Sequence, residues 1–319
     1  LSAAMIACVA CLEPNRSIHT ATFLRAVELC EQYVCGGDRA PAVTLERFDD
    51  AMRADVAARV ALEIVARRPR AVVGHFASAA ADAAAPCYAR AGIPLLLPAA
   101  TASDLTRHGT TWRVCDPDDA YCAWLLDYCA REDLQPAVLE HDGSLHGRSV
   151  VDTVARLGGR CASAVGGRPA RLYAGTYANS VAYATGLDPA DRMPLVLTDD
   201  AYTPALLREP AIGGREVHVI GFMPRPEGEV AGLLRSEWQR RFGGEPGVYF
   251  WETVAAIQIA VQAARLAADA PAGLASRAWP TVLGEVRFGP DRESRPRAFS
   301  AFRHLPAGCS VSTEGLADA

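Results

Sequence analysis

The stretch "AVVGHFASAAADAAAPCYARAGIPLLLPAAT", residues 71–101, decides the fold. Two apolar runs, Ala71–Val73 and Ile93–Leu97, each stop at a turn and then show a hydroxyl residue, Ser78 and Thr101. The alanine-rich segment between them predicts a helix over 79–90. Strand, helix and strand in this order, with strands apolar throughout, form a parallel unit that is covered on both faces.

The same alternation runs outward in both directions. "AMIACVACL" precedes a helical pattern over 19–33, whose Phe23, Ala26, Val27 and Cys30 share one face. "AVTLERFD" precedes a second helix over 53–67. After "TTWRVCDPDDA" the series restarts: helix 119–132, "PAVLEHD", helix 147–157, then strands in "RLYAGTY", "PLVLTDD" and "VHVIGFM". Helices over 227–242 and 249–268 follow, and residues 284–305 read as a hairpin. Two similar series in tandem predict an α/β chain of two Rossmann-like lobes with parallel sheets.

Composition narrows the function classes. The 319 residues are half apolar, with interspersed charges summing to −5 at pH 7. That balance carries no electrostatic footprint for nucleic acid, and no apolar run is long enough to insert in a membrane. All 32 basic residues are arginine; without lysine, Schiff-base chemistry and a Walker-type phosphate loop are excluded. Ten cysteines form no metal pattern: Cys8 and Cys11 are three apart on a strand and point to opposite faces. Cys122 and Cys129 share a helix face and read as small buried hydrophobes. No dinucleotide glycine fingerprint, metalloprotease motif or serine-nucleophile motif occurs, so neither catalysis nor a cofactor is expected. "LSAAMIACVAC" has no charged leader region, so any export signal is expected upstream of Leu1.

The candidate site follows from the parallel sheet, whose ligands sit beyond the carboxyl ends of the strands. Ser78 falls at the start of helix 79–90 as an N-cap, with the bare amides of Ala79–Ala81 beside it. A carboxylate there would receive backbone N–H groups and a hydroxyl. The local alternatives are a plain helix cap for Ser78 and a turn cap before Leu105 for Thr101. Trp112 and Trp124 read as packing; Tyr249, Phe250 and Trp251 read equally as core or as pocket wall.

The chain resembles the type I periplasmic binding proteins of the Leu/Ile/Val-binding kind. The residues that carry the likeness are 72–106, "TWRVCDPDDAYCAWLLDY", "AVLEHDGSLHGRSVVDTVARLGG", "LYAGTYANSVAYA", "PLVLTDDAY" and "WQRRFGGEPGVYFWETVAAIQIAVQAA". The resemblance implies two lobes joined by three crossovers: residues 1–117 with 247–297, and 118–246 with 298–319. It implies a small amino acid or amide held between the lobes, delivered to an ABC permease, in the periplasm or outside the cell. A cytoplasmic amide sensor and a scaffold that has lost its ligand are the alternatives. It places Ser78 and Thr101, with the main chain of Phe76, Ala77 and Ala99, on the ligand's carboxylate or amide. Tyr177 and Asp199 would meet its amine, with Asp200 the neighbouring candidate, and His146 falls where a lid aromatic is common. Locally, His146 reads as a solvated histidine in a glycine-flanked turn, and Asp199 and Asp200 as turn or cap residues. One departure stands out: only "RCASAVGGRPA" lies between Gly159 and "RLYAGTY". A strand and crossover helix need roughly 25–30 residues, so the second lobe is expected to be trimmed, with a smaller sheet.

Overall fold

The computed structural model describes residues 3–36, 42–158, 167–203, 205–210, 212–222, 224–266, 270–294, 299–304 and 312–315. Along the chain, β1 (Ala4–Ala10), α1 (Thr20–Tyr33), β2 (Val43–Asp49), α2 (Ala54–Ala66), β3 (Ala71–Gly74), α3 (Ser78–Ala91), β4 (Leu95–Leu97) and β5 (Thr111–Arg113) come first. There follow α4 (Asp118–Arg131), β6 (Leu134–His141), α5 (Leu145–Gly158), β7 (Arg168–Ala174), α6 (Tyr177–Gly186), β8 (Leu195–Leu197) and β9 (Val217–Phe222). The last group is α7 (Gly228–Phe242), α8 (Phe250–Arg265), α9 (Ala270–Ala275), β10 (Trp279–Thr281), β11 (Gly284–Val286), β12 (Phe299–His304) and β13 (Ser312–Gly315).

Two units emerge: Leu1–Pro117 with Pro224–Arg297, and Asp118–Met223 with Ala298–Ala319. The first holds a parallel five-stranded sheet in the order β2-β1-β3-β4-β5, so the winding reverses at β1. Strand alternation divides its core in two. On one face Ile6, Cys8, Val73 and Leu96 pack with Phe23 and Val27 of α1 and with Ile257 and Ala260 of α8. On the other, Ala7, Val9, Val72 and Leu95 pack with Ala57 and Ile64 of α2 and with Ala84 and Tyr88 of α3. Gly74 follows from this closeness: its φ is +130°, and a Cβ there would stand 2.0 Å from the Val9 carbonyl oxygen.

The second unit has six strands in the order β13-β12-β9-β8-β7-β6, parallel from β6 to β9 and antiparallel beyond. Trimming is visible in the parallel part, which has four strands where the first unit has five. The expectation of a smaller sheet is corrected by the two antiparallel strands at its far side. No strand lies outside β6 among the described residues, and its burial is correspondingly incomplete.

Two further readings need correction. Helix α7, expected in the second lobe, belongs to the first unit, where Leu234 and Trp238 join Phe23 and Phe250 in one core cluster. An amphipathic pattern says that a helix has an apolar face but not what covers it. The expected hairpin over 284–305 does not form: β11 pairs back onto β10, and β12 pairs antiparallel with β9. Among the described residues eight cysteines are unpaired; Cys35 is half-buried and the rest are buried. Burial pushes the thiols of Cys8, Cys30, Cys115 and Cys122 far up, and that of Cys129 to about 12.

Candidate functional site

In the first unit, three segments follow the carboxyl ends of neighbouring parallel strands: His19 after β1, Phe76–Ser78 after β3, and Ala99–Thr101 after β4. Ser78 is the first residue of α3 and not its cap; the cap position is Ala77, with no side-chain capping bond. Ala81 already donates to the Ala77 carbonyl, so the amides left without a helical acceptor are those of Ser78, Ala79 and Ala80. The Ser78 hydroxyl accepts from the Ala102 amide at 3.3 Å and joins the two loops. Thr101 is not a turn cap either: Asp104 precedes the short helical turn Leu105–Arg107. Ser78, Ala99 and Thr101 are buried, and Phe76 and Ala77 are half-buried.

Two supports for these loops escaped the sequence reading. Arg113 is fully buried at the end of β5 and brackets Thr101. Its Nη1 donates to the Ala100 carbonyl at 2.9 Å, its Nη2 to the Ala102 carbonyl at 2.7 Å, and its Nε to Glu293 at 3.1 Å. His75 lies between Asp50 Oδ2 at 2.8 Å and the Tyr88 hydroxyl at 3.1 Å, all buried, directly before Phe76. An arginine at a strand end and a histidine after glycine carry no local signal of such roles. Beside the loops stands a ring cluster: His19 and Tyr249 centroids are 5.2 Å apart, Phe76 and Tyr249 6.3 Å, Phe23 and Phe76 5.2 Å. Tyr249 adopts a left-handed backbone at φ 67°, uncommon for an aromatic residue, as it opens α8. Phe250 and Trp251 go into the core with Trp238.

In the second unit, His146 and Asp199 meet. His146 is the second residue of α5, and its Nε2 donates to Asp199 Oδ1 at 2.9 Å. Its Nδ1 stands 3.6 Å from Asp118 Oδ1, at the start of α4. The Asp118 side chain is 0% exposed and that of Asp199 1%, while His146 retains 17%. Neither Asp118 oxygen has a hydrogen-bond partner among the described residues. Burial pulls the imidazole pKa down, but Asp199, then Asp118 and Asp200, outweigh it and hold His146 well above the ordinary histidine value. The turn Asp199–Ala201 that carries Asp199 lies against β9, where the Tyr202 ring needs Gly221: a Cβ there would stand 2.3 Å from Tyr202 Cγ. Asp200 is only half-buried. Tyr177 opens α6 rather than ending a strand, and its hydroxyl donates to Glu209 at 2.7 Å.

No family model matches the chain, and no curated protein matches it by sequence. Solved structures match it over nearly its whole length. The branched-chain amino acid transporter substrate-binding protein LivJ from Streptococcus pneumoniae, in complex with isoleucine, aligns with a TM-score of 0.78 at 17% identity, covering 99% of both chains. The fold is that of the type I periplasmic binding proteins. The leucine-binding protein LivK from Thermotoga maritima aligns at 0.76 and 15% identity, over 98% of each chain. A solute-binding protein from R. palustris, in complex with benzoate, aligns at 0.72 and 12% identity, over 99% of this chain and 98% of the other. Among the described residues no helix is long and apolar enough to cross a membrane, and no group of three His, Cys, Asp or Glu residues could hold a metal ion.

Proposed function

We propose that the chain is a non-enzymatic solute-binding protein that serves an ABC importer of the branched-chain amino acid type, outside the cytoplasmic membrane. Its solute is a small organic acid or amide, gripped by that end at Ser78, the first-turn amides of α3 and Thr101. The observation that carries this reading is the hydroxyl-lined loop pair beyond β3 and β4. Ser78 joins the two loops, and a helix start without a side-chain cap lies beside them. Amides at a helix N-terminus favour an anion or a carbonyl oxygen through both donors and dipole. The rings of His19, Phe76 and Tyr249 offer an apolar wall for the rest of the solute. The solved structures of like fold hold isoleucine, leucine or benzoate, each of which has a carboxylate.

Calorimetric titration with leucine, isobutyramide, benzoate and 4-methyl-2-oxopentanoate tests the reading. At least one of these saturates the wild-type protein, and Ser78→Ala and Thr101→Ala each weaken it by about tenfold or more, as expected for a lost hydrogen bond to a charged group. Unchanged affinity in both variants would remove these hydroxyls from the site.

A further inference from the structure

Three thiols of the first unit gather at the end of α1. Cys8 on β1 and Cys30 on α1 are fully buried in one core cluster, and the half-buried Cys35, just past the helix, packs against the same cluster. The helix closes on a wide turn: the amide of Cys35, as well as that of Val34, donates to the Cys30 carbonyl at 2.9 Å. In a regular α-helix, positions five apart point to different sides. A bond that spans five residues widens the turn and brings the later residue back over the earlier one. With the covalent lengths added, it keeps the two Cα atoms within roughly 7 Å, close to the range of about 4.4–6.8 Å over which disulfides form. The loop is also held from outside, since Arg265 Nη2 of α8 donates to the Cys35 carbonyl at 2.9 Å.

We infer that Cys30 and Cys35 form a disulfide that pins the last turn of α1 when the protein meets a small-molecule disulfide. The inference is independent of the solute and of the loops that would hold it. Cys35 is the least buried thiol of the three, so the reaction begins there. Its thiolate attacks one sulfur of the small disulfide and expels the other half as a thiolate, which takes up a proton. The Cys30 thiol gives up its proton, attacks the Cys35 sulfur of the mixed disulfide and expels the second half. Two protein thiols are thereby oxidised, and one small disulfide is reduced to two small thiols. Burial pushes the Cys35 thiol up to about 11, against the pull of the Arg265 guanidinium and with the help of Glu31. Burial, then the neighbouring Cys35 and Cys8, raise Cys30 further. The exchange is therefore slow at neutral pH. Cys8 competes for Cys35 but has no backbone bond to it among the described residues.

The test incubates the folded, reduced full chain with oxidised glutathione at mildly alkaline pH, quenches with acid, and alkylates after unfolding. Cleavage after arginine releases residues 26–39 as one peptide that holds Cys30 and Cys35 and no other cysteine. That peptide is expected to escape alkylation and to weigh about 2 Da less, for the two hydrogens lost. Further cleavage after Glu31 is expected to leave its two parts joined. Cys35→Ser, with an unchanged circular dichroism spectrum, is expected to abolish the product and leave Cys30 open to alkylation, whereas Cys8→Ser is expected to leave the product in place. Alkylation of both cysteines in the treated protein overturns the inference, and so does a reaction that stops at a glutathione adduct on Cys35. A link from Cys35 to Cys8 overturns it as well.

Discussion

Arg113 carries more of the candidate site than any residue that would touch a ligand. Its guanidinium holds the carbonyls on either side of Thr101, and its charge is met by Glu293, 180 positions further along the chain. Loss of one partner from a buried pair leaves the other uncompensated, so Arg113→Met is expected to cost about 3–5 kcal/mol in urea unfolding. The double variant Arg113→Met with Glu293→Leu is expected to recover much of that loss, because two apolar groups leave no orphan charge. At this scale the sequence was legible only in part. Ser78 and Thr101 announce themselves as hydroxyls after apolar runs, and the structure joins their loops. Arg113 and Asp118 do not, because burial comes from chain segments that a local reading does not see. The glycines around His146 suggest a solvated turn; the carboxylates that change its meaning lie 28 and 53 positions away.

Elements tell a similar story about partners. Strands β1, β3, β4 and β8 were legible because parallel strands buried on both faces are apolar without interruption. Strand β12 was not, since a short alternating run fits any antiparallel neighbour, and only the assembled sheet sets it against β9. Strand β6 bears the effect of the short link after α5. It lies beside β7 and has no neighbour on its other side among the described residues; its ladder shifts register between Pro136 and Val138, and Glu140 is exposed. Proline, a bulge and charge are the usual protections of an edge against pairing with another chain. Pro136→Val is therefore expected to raise self-association, measured by light scattering after size exclusion, with little change in unfolding midpoint.

The whole chain combines two units with opposite responses to pH. In the first, burial and the nearby Asp116 push the Glu252 carboxyl from 4.5 up to about 8, at the start of α8. The folded state therefore keeps a proton that the unfolded chain has lost. That stability is complete below the unfolded value of about 4.5 and is lost as pH rises through about 8, a change of roughly 3–5 kcal/mol. Glu252→Gln is expected to flatten this decline, read as the urea midpoint between mildly acidic and mildly alkaline pH. In the second unit, Arg168 and His218 hold Glu216 at about 2, against the opposing effect of burial. Its contribution is present above the ordinary carboxyl value and disappears as pH falls toward 2. The buried unpaired thiols are distributed so that these responses can be separated. Cys8, Cys30 and Cys87 sit in the first unit, and Cys122 and Cys129 in the second. A thiol shut away in this manner reacts with an alkylating reagent only when its surroundings open. Peptide-by-peptide alkylation rates therefore time the opening of each unit on its own clock, in one untagged sample.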